Sequence, residues 1–177
     1  MAEDAGIPVS VPLDENKRQL DGWALAIGRF LVAFTSCEVW TYHYIKTFGS
    51  HRLHDAAADM NLGPRGNLAH ALVSDIGLVT HVQERVDAAF KKLKELSHPR
   101  NLVAHNGPLV HLYQNSNTGE LEVRHELRSA RDPSKDITIA ELEKLHAEAV
   151  ELDQELALLY GVVRHPESQI VGNAVEK

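Results

Sequence analysis

Apolar residues recur at helical spacing along the first third of the chain. From Leu20 onward they return every three or four positions, which is the spacing of one face of an α-helix. The pattern predicts one long helix that begins near Asp14 and ends at Phe48, because Gly49 is a natural helix stop. The most apolar part of this helix is shorter than the roughly 20 residues that cross a bilayer, and it carries Arg29 in its middle. We therefore interpret it as a buried helix.

Three shorter helical patterns follow. The stretch HRLHDAAADMN predicts a short second helix closed by NLGPRG, and NLAHALVSDIG predicts a third that ends at Gly77. The segment VTHVQERVDAAFKKLKELSH is strongly periodic and predicts a fourth helix. Pro99 is expected to interrupt that helix, because the residue before a proline is pushed out of the helical conformation. Residues 100–105 would then form a short separate helix after a kink.

Beyond Pro108 the pattern changes from helical to alternating. Apolar and polar residues alternate before and after the turn sequence NSNTGE, which predicts a two-stranded β-hairpin at about residues 109–128. A hairpin of this size needs helices to pack against. Thr138, with Glu141 three residues later, forms a capping box that predicts the start of the last helix, and Gly161 is expected to close it.

These elements predict a mainly α fold, a helical bundle with a small β-hairpin inserted before the last helix. A chain of 177 residues is long enough for one domain with a hydrophobic core. We expect a single domain over residues 13–163, a flexible N-terminus over residues 1–12 and a mobile C-terminal tail over residues 164–177.

Charge and cysteine content narrow the class of protein. A net charge of -7 argues against broad, charge-driven binding of nucleic acid, although it leaves room for a local basic site. Cys37 is the single cysteine and cannot form an internal disulfide, which suits a reducing compartment. The first ten residues, MAEDAGIPVS, lack the basic and apolar regions of a signal peptide. We expect a cytoplasmic protein that does not contact a membrane.

The segment RNLVAH combines three chemically useful side chains in six residues. On an ideal helix Asn101 and His105 are one turn apart and share a face, whereas Arg100 and His105 are about 140° apart. The long stem of Arg100 allows its guanidinium to bend toward a phosphate that the imidazole also reaches. Metal-free RNA cleavage requires a group that titrates near neutral pH and a permanent cation. His105 and Arg100 supply these, with Asn101 as a supporting residue.

The same segment resembles the signature of the HEPN superfamily, in which an Arg is followed after four to six residues by His, often with Asn directly after the Arg. The helical layout is similar over roughly residues 14–160. The resemblance implies a metal-independent endoribonuclease without a cofactor, with Arg100, Asn101 and His105 as its catalytic residues and 2′,3′-cyclic phosphate ends as its products. It also implies a homodimer in which two motif segments meet and build one composite site.

Many HEPN proteins are toxins of prokaryotic toxin–antitoxin or defence systems, so the resemblance also allows an antitoxin protein as a partner. One departure from the family pattern bears on the kind of antitoxin. Toxins paired with a minimal nucleotidyltransferase usually carry Tyr two residues after the motif His, where the antitoxin attaches a nucleotide. This chain has Gly107 at that position, which disfavours such a pairing.

Three residues outside the motif are weaker candidates. Glu38 lies in the apolar run of the first helix, where a buried carboxylate must find a partner or take up a proton. By the resemblance it pairs with Arg100 or orients His105, and the alternative is a solvated residue on the far face. His111 and Tyr113 on the hairpin are candidates for RNA contact, with Tyr113 as a stacking surface.

Two other functions compete with catalysis. In the first, the chain is a non-catalytic HEPN-like module for dimerisation or protein interaction. His105 then lies near the C-terminal end of a short helix, where a positive charge interacts favourably with the helix dipole. In the second, His51 and His54 with Asp55 and Asp59 form part of a metal site in a hydrolase. No second cluster has ligand spacing, so we expect no metal.

Overall fold

Helices form most of the chain that the computed structural model describes, namely residues 13–114, 118–119, 121–129, 132 and 135–165, with backbone only at 13–16, 110–114 and 121–124. The helices are α1 Leu13–Phe48, α2 His51–Ala58, α3 Leu62–Ser74, α4 Thr80–His105 and α5 Ile139–Arg164. The strands are β1 Pro108–Gln114, β2 Leu121–Arg128 and β3 Asp136–Ile137. The mainly α fold is confirmed. The N-terminus, and the C-terminal tail beyond residue 165, lie outside the described residues.

The long helix α1 confirms the first helical pattern and forms the centre of the core. It packs against α3, α4 and α5. Two hydrogen bonds fix its position against α5, since the Tyr44 hydroxyl donates to the Leu156 carbonyl at 2.9 Å and the Cys37 thiol to the Ala149 carbonyl at 3.1 Å. Both donors are fully buried, so these bonds satisfy polar groups that water does not reach.

The same helix meets the length and hydropathy of a membrane span over Lys17–Phe48. The inference that it is too short is therefore wrong. The core helices of soluble proteins meet the same criteria. On α1, Trp23, Phe30 and Phe34 are buried against other helices, and 33% of the apolar window is buried in all. Burial of this face removes apolar surface from water without a bilayer.

Helix α3 begins earlier than its sequence indicated. The predicted stop NLGPRG instead supplies its first residues, because α3 begins at Leu62. Pro64 lies in the first turn, where the missing N–H has no intrahelical partner to lose. Arg65, Ala69 and Val73 then lie four residues apart on its buried face.

Helix α4 is continuous through Pro99, so the predicted break is wrong. A proline inside a helix removes one backbone hydrogen bond and costs roughly 3 kcal/mol. The apolar face continues on both sides of Pro99, because Leu93, Leu96 and Val103 are all buried. Burial of these side chains offsets the cost of one missing bond, at about 1.5–3 kcal/mol for each large apolar side chain.

The β-hairpin before the last helix is confirmed and belongs to a three-stranded antiparallel sheet in the order β1-β2-β3. The short strand β3 was not predicted. In the register between β2 and β3, Leu127 pairs with Ile137. Both side chains are buried in the common core, so this pair attaches the sheet to the helices.

The capping box at the start of α5 is confirmed, whereas the predicted end of that helix is wrong. The Thr138 side chain accepts a hydrogen bond from the Glu141 amide, and the Glu141 carboxylate accepts one from the Thr138 amide. The helix passes Gly161 and ends at Arg164. Val163 is 1% exposed, so the apolar face of α5 extends beyond the glycine.

Candidate functional site

The last two turns of α4 point the three motif residues in different directions. Asn101 and His105 line an open groove of about 970 Å3 between α4 and the β2–β3 region. The Arg100 guanidinium instead lies toward α1, where its Nη2 atom is 3.5 Å from Oε1 of Glu38. The continuous helix explains this divergence, since five residues correspond to about 140° around its axis.

Glu38 joins the site from α1. Its side chain is 16% exposed and forms an ion pair with Arg100. Of the two roles considered for Glu38 near the motif, the geometry shows contact with Arg100 and no hydrogen bond to His105 among the described residues. A carboxylate in this position limits the conformations of the guanidinium.

Arg65 is a site residue that the sequence analysis missed. Its side chain is 7% exposed, and Nη2 lies 4.0 Å from Oε2 of Glu38. Three hydrogen bonds satisfy the rest of its guanidinium, namely Nε to the Thr41 hydroxyl at 2.8 Å, Nη1 to the Tyr42 hydroxyl at 2.6 Å and Nη1 to the Met60 carbonyl at 2.9 Å. The signal in the sequence was its position four residues before Ala69, on the buried face of α3.

Asn101 lies between Arg100 on the α1 side of the motif and His105 in the groove. Its carboxamide oxygen accepts a hydrogen bond of 3.1 Å from Nη1 of Arg100, and the same side chain lines the groove with His105. With the oxygen engaged, the amide nitrogen remains a donor for a ligand in the groove. His105 is exposed and makes no hydrogen bond to another side chain in the described part of the protein.

The groove has further polar walls. His98 is exposed and lies seven residues before His105, on the same side of α4. Across the groove are Ser129, Lys135 and Asp136, from the end of β2 to β3. Imidazole, ammonium and hydroxyl groups can all donate hydrogen bonds to a phosphate. His98 was not predicted as a site residue, although its helical spacing from His105 was a sufficient signal.

The hairpin candidates are placed by backbone only. His111 pairs with Arg124 and Tyr113 with Glu122 in the β1–β2 register. The side chains of both residues lie outside the described part of the structure. RNA contact by His111 and Tyr113 therefore stays a prediction.

The other reactive groups do not form a second site. Within the residues described, no group of three or more His, Cys, Asp and Glu side chains is arranged to hold a metal ion. His51 is bound to Asp55 at 2.8 Å on the exposed surface of α2. Cys37 is buried, and burial raises the pKa of its thiol to about 12, so it stays protonated and a poor nucleophile at neutral pH.

Comparison of the chain with protein-family models, with curated proteins and with solved structures finds no match. The resemblance to the HEPN superfamily therefore rests on the segment RNLVAH and on the order of the helices alone, and it stays a prediction. Any function must be argued from the geometry of the site, because a fold alone does not determine chemistry.

Proposed function

We propose that this protein is a metal-independent endoribonuclease of the HEPN type that acts as a homodimer. The single observation that carries the proposal is the groove of about 970 Å3, whose wall presents an exposed His105 beside Asn101, which is itself bonded to Arg100. A general acid or base, a polar positioning group and a permanent cation thus follow one another on α4. These are the groups that phosphodiester transfer requires.

In the proposed reaction, the 2′-oxygen of a ribose attacks the adjacent phosphorus and the bond from phosphorus to the 5′-oxygen breaks. The 2′-hydroxyl loses a proton and the departing 5′-oxygen gains one; His105 transfers one of these protons and water the other. Arg100 stabilises the negative charge of the phosphorane, and Asn101 positions the phosphate. The products are a 2′,3′-cyclic phosphate and a 5′-hydroxyl.

A homodimer accounts for the divergence of Arg100 and His105 within one chain. Their helical positions differ by about 140°, and Glu38 holds the guanidinium toward α1. If two motif segments meet across a two-fold axis, Arg100 of one protomer can approach a phosphate held by His105 of its partner. Such an interface is isologous, so both protomers contribute the same residues.

The biological setting belongs to the same proposal. A cytoplasmic toxin or defence protein would keep its RNA substrate within reach, and an antitoxin protein would control it. Control by attached nucleotides is disfavoured because Gly107 stands where related toxins carry the modified Tyr. Direct coverage of the groove by a protein partner is the simpler form of control, since His105 is exposed.

The test is cleavage of mixed cellular RNA in EDTA by four purified variants that retain wild-type circular dichroism. His105→Ala and Arg100→Ala should both lose cleavage. For His105, as the general acid or base, the rate should fall by about 10²-fold or more. His81→Ala and Arg52→Ala are matched controls, since both residues are exposed and lie outside the groove. His81 is on the same helix, about 36 Å from His105. Equal activity of all four variants would overturn the assignment.

A second candidate function, a non-catalytic module for dimerisation or protein interaction, is favoured by one observation. Three apolar residues of α1 repeat every seven positions on its outer side, with exposures of 54% at Leu25, 70% at Val32 and 43% at Val39. Beside them lies an open groove of about 530 Å3 that Val150 of α5 also lines. Heptad spacing is typical of a seam between two helices, and a second copy of α1 carries the matching seam.

A further inference from the structure

Five polar side chains form a line along the exposed face of α4. They are Lys91, Lys94, His98, Asn101 and His105, and all five are exposed. Their separations alternate between three and four residues, which keeps them on one side of a helix. The line is about 21 Å long from its first to its last member, at 1.5 Å per residue. It continues the candidate site away from the groove.

The two lysines of this line take no part in the ion pairs of the described residues. Lys91 and Lys94 form no ion pair with any described residue, whereas Lys92 between them is bound to Glu148 at 2.8 Å. In a chain with a net charge of -7, two free ammonium groups beside the site form a local basic region. The region ends at Asp87, where hydrogen bonds from His70 and Gln83 hold the pKa of the carboxyl below its usual range. Asp87 is therefore anionic at neutral pH and repels a phosphate.

A pocket of about 310 Å3 opens between α3 and α4, and Asp87 lines it together with Lys91 and Lys94. Phe90 and Leu93 supply apolar surface, and the His70 ring stacks on Phe90 with centroids 5.1 Å apart. Gly63 and Gly66 line the α3 side, and a Cβ atom on either would meet nothing within 4 Å. Open space beside a ring stack suits one flat heterocycle, and the volume is at the lower end of small-ligand sites, which span about 300–1,000 Å3.

We propose that this face binds a single strand of RNA, with its phosphates along Lys91 and Lys94 and one base in the pocket, a few nucleotides from the scissile phosphate at His105. The proposal rests on the ribonuclease function and specifies its substrate as unpaired RNA. Phosphate contacts to ammonium groups hold the strand, and an apolar pocket takes a base only when that base is unstacked. In a duplex the bases are paired and stacked, so the pocket cannot receive one.

The strand contacts are tested by fluorescence anisotropy with a short labelled single-stranded RNA whose 2′-O-methyl riboses prevent cleavage. Lys91→Gln/Lys94→Gln should raise Kd at least about tenfold and lower the salt slope by about 1.4, at 0.7 per phosphate contact. Lys17→Gln/Lys46→Gln is the matched control, because both lysines are exposed on α1 and outside the groove and pocket. Equal affinity of the two double variants would overturn the strand path.

A second readout separates this inference from the ribonuclease proposal. A dinucleotide contains only the scissile phosphate, so Lys91→Gln/Lys94→Gln should lower kcat/KM at least about tenfold more for a longer single strand than for a dinucleotide. If the wild-type protein cleaves RNA and Lys91→Gln/Lys94→Gln binds the strand as tightly as the wild type, the strand path is overturned and the ribonuclease proposal stands. A wild-type protein that binds the strand through these lysines and cleaves no RNA would overturn the ribonuclease proposal and leave the strand path standing.

The base pocket is tested by filling it. Gly66→Leu places a side chain in open space, and Gly161→Leu on α5 is the control because its Cβ also meets nothing within 4 Å. Both variants should fold, since leucine favours helix more than glycine does. The wild type should show at least a threefold preference among short unpaired strands that differ only in carrying A, C, G or U at one position. Gly66→Leu should lose this preference, and Gly161→Leu should keep it. No preference in the wild type, or one unchanged by Gly66→Leu, would overturn the pocket assignment.

Discussion

Nη2 of Arg100 lies 3.5 Å from Oε1 of Glu38, on a helix more than 60 residues earlier in the chain. Arg65 approaches the other oxygen of the same carboxylate, at 4.0 Å. Arg65 is nearly buried and fixed by its own hydrogen bonds, so it provides a rigid support for Glu38. The orientation of Arg100 thus depends on two elements outside the motif.

Replacement of Glu38 by Gln should reduce RNA cleavage, because a neutral amide no longer holds the guanidinium. Misplacement of a catalytic group by about 1 Å costs on the order of 10²-fold in rate. The measurement is kcat/KM in EDTA for Glu38→Gln, for Arg100→Ala and for the double variant. If Glu38 acts through Arg100, the second substitution adds little to the first. Additive losses would show that Glu38 acts independently.

A composite site predicts that two inactive chains complement each other. A two-fold axis places two Arg100–His105 pairs in the composite site, each with its members from opposite protomers. In a heterodimer of Arg100→Ala with His105→Ala, one of these two pairs is intact. Purification through two different tags should therefore recover about half of the wild-type activity, as two-fold symmetry requires. Sites that lie within one chain would leave the heterodimer as inactive as either parent.

The outer seam of α1 distinguishes the two candidate functions. Val32 is 70% exposed and lies on the side of α1 opposite its buried residues. If the motif segments form the dimer interface, Val32→Glu should leave both the mass from light scattering and the rate of RNA cleavage unchanged. A monomeric Val32→Glu variant would place the interface on α1, away from the motif, and would favour the interaction module.

The capping box at α5 predicts a dependence of stability on pH. Hydrogen bonds from the Thr138 amide, at 2.7 Å, and from its hydroxyl hold the pKa of Glu141 below its usual range. The folded state therefore gains stability above the unfolded pKa, and this gain is lost as the pH falls through the folded value.

Glu141→Ala should accordingly lower the free energy of unfolding at pH 7 by about 0.3–1 kcal/mol, with a difference that fades below about pH 4. Thermal unfolding across this range measures it. Glu143→Ala is the control, since Glu143 is exposed in the same part of α5. An equal loss of stability in both variants at every pH would contradict the assignment.

The elements that local pattern determines were predictable. The apolar repeat of α1, the alternation in the hairpin and the capping pair at Thr138 each carry their signal within a few residues. Pro99 and Gly161 were misread because the breaking tendency of one residue is small beside the burial of an apolar face on both sides of it. The tertiary packing decided both positions.

The candidate site was only partly predictable for a related reason. Arg100, Asn101 and His105 are neighbours in sequence, so their motif was visible, whereas the support from Arg65 depends on how α3 packs against α1. Strand β3 has two residues and pairs with β2, so it carries almost no pattern of its own. Contacts between distant segments leave the weakest trace in one sequence.

The chemistry of the RNA ends tests the proposed ribonuclease activity directly. Wild-type protein and His105→Ala are incubated in EDTA with a single-stranded RNA, and the ends are identified by mass spectrometry. A HEPN-type ribonuclease should leave 2′,3′-cyclic phosphate and 5′-hydroxyl ends with the wild type, and at least about 10²-fold fewer with His105→Ala. Cleavage that requires a divalent metal, that leaves 5′-phosphate ends or that survives in His105→Ala would contradict it.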